Sequence, residues 1–184
     1  AQAPAAPKVV TVDKVRDTLY VLKGGGGNTA LFLTAKGAVV VDTKLPGWGQ
    51  PLLDAVRTVT DKPVTMVINT HTHYDHTNGQ VEFPASVEVV AHENTKRYMQ
   101  ESNPVYALQS GPQPNIFTAN GGRGMASRTF RDTLTIGSGA DRIDLHYFGR
   151  AHTGGDTYVV FPALGVMHVG DTFPTRDLPI MDIN

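Results

Sequence analysis

The sequence predicts an α+β domain, on three observations. Short apolar runs of strand length recur along the 184-residue chain. Helical periodicity is confined to two segments between them. Turn signals rich in Gly, Pro, Asn and Ser separate the runs. The length suits a single domain with a sizeable core, and 40% hydrophobic with 18% charged residues is an ordinary globular composition.

The elements follow in order. Strands are expected over residues 9–12, 19–22, 29–34 and 38–42. Gly24, Gly25, Gly26 and Gly27 form a hairpin turn between two of these strands. They are not a phosphate loop, because no Lys-Ser/Thr pair follows and the next segment reads as a strand. A helix over 49–59 places Leu52, Leu53, Val56 and Val59 on one face, with Pro46 and Trp48 flanking its start and Trp48 read as a packing residue. A buried strand over 64–69 precedes a polar, histidine-rich loop. Another strand over 87–91 leads into a helix over 94–101. Residues 102–128 read as one long loop, either a lid or a solvated insertion. Strands resume at 132–136, 143–148, 157–161 and 166–169.

Composition excludes several function classes. A net charge of −1 and a pI near 6.7 leave no electrostatic footprint for nucleic acid. No run of 18 apolar residues exists to span a membrane. The chain has no cysteine, which removes thiol catalysis and cysteine-type zinc sites. No Walker loop, dinucleotide fingerprint or Gly-x-Ser-x-Gly elbow is present. The segment from Ala1 to Pro7 is small, apolar and proline-bearing, and no Met precedes it. It reads as a disordered tail left by signal-peptide removal, or as a linker, and so points to a periplasmic or secreted protein. Residues 8–184 then form one domain.

Chemistry is concentrated in His71, His73, Asp75 and His76, four ligand-type residues in six positions at the exit of a strand. In an extended segment His71, His73 and Asp75 project to one side. A turn or helix beginning at Asn78-Gly79 would swing Asp75 and His76 away, so that one pair serves one metal and the other pair a second. Imidazole and carboxylate ligands suit Zn, Fe or Mn. Two later residues repeat the placement. His152, in Gly-Arg-Ala-His-Thr-Gly-Gly-Asp, and Asp171, in Val-Gly-Asp-Thr, each sit just past a strand end. His92, His146 and His168 are read as structural or surface histidines.

These motifs resemble the metallo-β-lactamase superfamily, and the resemblance covers most of the chain. It extends to Val39-Val-Val-Asp42-Thr43, similar to the strand that ends in an aspartate behind the metal ligands. The resemblance implies an αββα sandwich, with His71, His73 and His152 on a first metal, Asp75 and His76 on a second, and Asp171 bridging them. It also implies that the glycine turn borders the substrate. The family normally adds a later histidine to the second metal, and no histidine follows Asp171 here. A chain truncated at its C-terminus is the expectation, the alternative being a second site completed by water or another chain. Asp171 is similar to the glyoxalase II type, and to its esterase, lactonase and phosphodiesterase relatives, rather than to dedicated penicillin-destroying enzymes.

The function implied is metal-dependent hydrolysis of an ester, thioester, lactone or amide bond in a small molecule, β-lactams included. Two zinc ions roughly 3.5–4 Å apart would activate a shared water, and Asp75 would orient the nucleophile and pass a proton to the leaving group. Two alternatives remain open: a mononuclear iron oxidoreductase resembling the persulfide dioxygenases of the superfamily, and an inactive fragment.

Overall fold

The structure, a computed structural model, describes residues 6–101 and 115–173. Eleven strands lie among them. The first seven are β1 (Thr11–Arg16), β2 (Leu19–Lys23), β3 (Thr29–Leu33), β4 (Ala38–Val41), β5 (Val64–Ile68), β6 (Glu88–His92) and β7 (Arg128–Phe130). They pair in simple sequence order into one sheet. The other four are β8 (Thr133–Ile136), β9 (Ile143–His146), β10 (Tyr158–Phe161) and β11 (Val166–His168), which form an antiparallel meander. The helices are α1 (Gly49–Arg57), α2 (Tyr74–Thr77), α3 (Glu93–Gln100) and α4 (Ile116–Ala119).

Strand alternation separates the layers. On β3, Leu31 faces one way and Ala30 and Phe32 the other; on β4, Ala38 and Val40 oppose Val39 and Val41. The first set packs with Leu52, Leu53 and Val56 of α1, Met99 of α3 and Phe117 of α4. The second set packs with Ile143, Leu145, Val159 and Phe161 of the meander. Strands β3 and β4 are therefore buried on both faces, and their sequences read as nearly continuous apolar runs. The layers are helix, sheet and sheet, three of the four in the expected αββα sandwich.

Hydrogen-bond direction decides where polar residues collect. Strands β1 to β4 are antiparallel, whereas β4 to β7 run parallel. Parallel strands deliver their following loops to one edge, the usual place for a site in such sheets. Asp42 follows β4, and the histidine loop follows β5. The meander brings the loops after β9 and β11 to the same edge.

Three expectations are corrected. Strand β1 begins at Thr11, not residue 9, and runs across a bulge to Arg16. It is an edge strand exposing Asp13, Lys14 and Arg16, so it carries no apolar alternation to read. Residues 102–128 are not one loop. Asn115 caps α4 by accepting from the Thr118 amide at 3.0 Å, and β7 extends the parallel sheet. Four helical and three strand residues are too few for periodicity to show. Residues 102–114, where the lid expectation falls, lie outside the described residues, as do residues 1–5 and 174–184. The turn at Asn78-Gly79 is a 3₁₀ turn that follows α2 instead of opening a helix, because the chain has already turned at Tyr74.

Phe32 and Phe161 join the two sheets with ring centroids 4.9 Å apart, and both are about fully buried. Phe32→Ala should lower folding stability by about 3–5 kcal/mol, read as a shift of the urea midpoint. A loss under about 1 kcal/mol would contradict a core shared between the sheets.

Candidate metal centre

The loop after β5 is short and held at both ends. The Asn69 amide donates to Val90 O at 2.9 Å, and Asp42 receives the Thr70 amide on Oδ1 at 2.8 Å. Helix α2 then starts at once: His73 O accepts from the amides of His76 and Thr77, both at 3.0 Å. This turn folds His76 back beside His71. A reciprocal amide pair, Asn69 with Gln80 at 2.7 and 3.1 Å, closes the loop from behind.

Asp42 organises two of the imidazoles. Its Oδ2 accepts from Thr70 Oγ1 at 2.6 Å and lies 2.8 Å from His76 Nδ1. Thr70 has one hydroxyl proton and gives it to Asp42, so its oxygen accepts from His71 Nδ1 at 2.9 Å. Both imidazoles thus carry hydrogen on Nδ1, and each presents Nε2 to the same space. There the buried His71 Nε2, His76 Nε2 and Asp75 Oδ1 make no hydrogen bond. Buried polar atoms are almost always satisfied, so three together mark a place built for a ligand.

The other side chains enter from the meander. His152 Nε2 lies 3.0 Å from His73 Nδ1. Two nitrogens on one tetrahedral zinc at ~2.0–2.1 Å stand roughly 3.3 Å apart, so the pair is spaced for one ion. Asp156 shapes the His152 loop by accepting from the amides of Ala151 and Thr153 and from Thr153 Oγ1 at 2.8 to 3.2 Å. Gly154 and Gly155 let that loop lie on α3, where a Cβ would meet Tyr98 Oη at 2.4 Å and Thr95 Oγ1 at 2.3 Å.

His71, His73, His152 and Asp171 each place one ligand atom within 4.8 Å of the others. Asp42, His71 and His76 form a second such group. Asp171 links the two: Oδ1 is 3.3 Å from His76 Nε2 and Oδ2 is 3.8 Å from His152 Nε2. Asp75 Oδ2 is 3.6 Å from His76 Nε2. Five of the six residues expected from the sequence fall in these two groups; Asp75 joins neither and meets the cluster through His76. The two groups share His71, with His73 and His152 in the first and His76 in the second. Neither His92 nor His146 joins either group. His92 stacks on Tyr147 with centroids 3.9 Å apart, and His146 stacks on the exposed Phe148. Thr70, Gln80 and Asp156 support the site without having stood out in the sequence. Only Asp156 left a signal, as the acid closing the His152 motif.

Electrostatics match a site that awaits positive charge. Burial, then the neighbouring imidazoles, pushes His71 well below its usual value, which favours the neutral imidazole. Burial also opposes charge on His76, but Asp42, Asp171 and Asp75 outweigh it and raise His76 to about 10. Burial raises Asp171, and the His76 contact more than reverses this, holding its carboxyl below the ordinary range. The proton on His76 takes the place a cation would fill between carboxylates.

The residues from 22 to 183 match the family model of the metallo-β-lactamase superfamily, and the chain belongs to that superfamily. It is 26% identical over 166 residues to the 2,4-dinitroanisole O-demethylase subunit alpha of Nocardioides sp. (strain JS1661), covering 89% of this chain and 46% of the relative. Among solved structures it resembles a Cronobacter sakazakii metallo-β-lactamase with a HARLDQ motif at TM-score 0.69 and 18% identity, covering 94% of this chain and 66% of that one. It also resembles the class B3 di-zinc metallo-β-lactamase LRA-12 from an Alaskan soil metagenome at TM-score 0.67 and 20% identity, covering 88% and 62%. At these identities the structures establish the shared fold. The chain spans less than half the length of the curated relatives it matches.

A pH prediction follows for the chelator-treated protein. His76 is raised above its unfolded value of 6.5, so the stability it contributes is full below pH 6.5 and is lost as pH rises toward about 10. Urea unfolding of the metal-free chain at pH 6.5 and pH 9 should show this loss, and His76→Asn should flatten it. A loss of the same size in both proteins would contradict the assignment.

Proposed function

We propose that this chain carries the metal centre of a hydrolase that holds two zinc ions and cleaves an ester, thioester, lactone or amide bond of a small molecule. His71, His73 and His152 would hold the first ion and Asp75 and His76 the second, with Asp171 placed to serve both. The carrying observation is the Asp171 carboxylate, whose two oxygens face different histidines, His76 on one side and His152 on the other. When bound, two cations supply water activation and polarisation of the scissile bond.

The chain's own groups have separate tasks. Asp42 and Thr70 fix the tautomers of His76 and His71, the outer support that metal-binding histidines usually need. Asp75 keeps one carboxylate oxygen without a hydrogen bond, and its side chain is 25% exposed at the rim of the site. That oxygen can orient an attacking water and receive its proton, then return the proton to the leaving group. The dinitroanisole demethylase suggests that an activated aryl ether also belongs among candidate substrates.

A second reading has an observation in its favour. His71, His73, His152 and Asp171 lie within 4.8 Å of one another, a set of imidazoles and one carboxylate that also suits a single iron in an oxidoreductase. No helix among the described residues is long and apolar enough to cross a membrane. A periplasmic or secreted location is part of the proposal, on the composition of the first seven residues.

Elemental analysis of the purified chain tests the assignment. About two zinc per chain is expected, with His71→Ala or His152→Ala losing the first ion and Asp171→Ala depleting the second more than the first. About one iron would support the oxidoreductase instead. About one zinc would fit an incomplete second site. Unchanged metal content in both histidine variants would overturn the ligand set.

A further inference from the structure

Lys44 is fully buried, and it is one of two non-glycine residues with positive φ among those described, at 76°. A lysine seldom adopts that backbone conformation or loses all contact with water. Burial pulls its ammonium down to about 8, against the opposing charges of Asp42 and Asp75. Its Nζ donates to two carbonyls, Leu22 O and Gly27 O, both at 2.6 Å. Leu22 lies on β2 just before the glycine turn, and Gly27 is the last residue of that turn.

The turn is seated directly on the metal centre. A Cβ on Gly27 would fall 2.3 Å from His76 Nε2, and one on Gly26 would fall 2.6 Å from Asp75 O. The Gly27 amide donates to Asp75 O at 3.2 Å, and the Leu45 amide donates to Gly25 O at 2.8 Å. Gly25 packs so closely on the Trp48 indole that a Cβ there would overlap the ring, and His168 bonds the Asn28 carbonyl. The Leu45 amide thus holds the turn at Gly25, while the Lys44 ammonium holds its last residue, Gly27, and the end of β2 that leads into it. One ammonium therefore ties the last residue of the turn to the strand that leads into it.

We propose that Lys44 is a positioning residue that clamps the glycine turn against Asp75 and His76, and so fixes the part of the centre that receives the second ion. The clamp itself stands on the contacts above. Its consequence for the second ion rests on the two-metal reading.

Lys44→Met keeps the side-chain length and removes the donor. Trp48 is the sole tryptophan, so its quenching by acrylamide reports release of the turn in the metal-free protein. Quenching should rise by about twofold. In a cobalt titration followed by visible absorption, the second equivalent should bind about tenfold more weakly while the first stays within about twofold. Lys44→Arg, which keeps donors, should restore part of both. Unchanged quenching, or equal weakening of both cobalt steps, would overturn the proposal. If the parent protein binds one cobalt only, the two-metal reading fails on its own, and the quenching result alone decides the clamp. Should Lys44→Met not fold, Lys44→Gln is read the same way. Failure of both to fold would make Lys44 a requirement of the fold and overturn its positioning role.

Discussion

The Asp42 carboxylate is the constraint on which the rest of the site depends. It is fully buried, and its backbone is held at φ 63°, a costly conformation for any residue but glycine. In return it accepts from the Thr70 amide and hydroxyl and contacts His76 Nδ1, all within 2.8 Å. Through Thr70 it also sets the proton on His71. One side chain therefore decides which nitrogen each of two imidazoles presents. Without it, two buried rings would be free to rotate or to take the other tautomer, and the ligand atoms would not converge.

The fold delivers that carboxylate to its partners. The parallel pairing of β4 with β5 puts Asp42 and the histidine loop at one edge, and the Asp42 amide bonds Ile68 O across the gap at 2.9 Å. The core between the sheets brings the meander close enough for the Thr157 amide to bond Thr70 O at 2.7 Å. That contact ties the His152 loop to the residue that orients His71. Packing between the sheets and geometry at the metal centre are thus one problem, solved by the same few strands.

Much of this was legible in the sequence. The strands β2 to β6 and β8 to β11 announce themselves through apolar alternation or continuous apolar runs. The six candidate ligand residues stand out because their types are rare together and each follows a strand. What was hidden is local and polar. Strand β1 exposes charge on an edge, and α4 and β7 are too short for a period. Thr70 and Gln80 act through hydrogen bonds to residues distant in sequence, which no spacing encodes. The place of the turn was also hidden: Asn78-Gly79 is the visible turn signal, whereas His73 O captures two amides and turns the chain before it. The role of Lys44 was equally unreadable, since an isolated lysine in a sequence is ordinarily a solvated surface group.

The most direct test of the account is anomalous diffraction at the zinc edge from crystals of the metal-loaded protein. The account predicts two peaks roughly 3.5–4 Å apart, one bounded by His71, His73 and His152, the other by Asp75 and His76, with Asp171 between them. A single peak, or a peak outside this cluster, would contradict it.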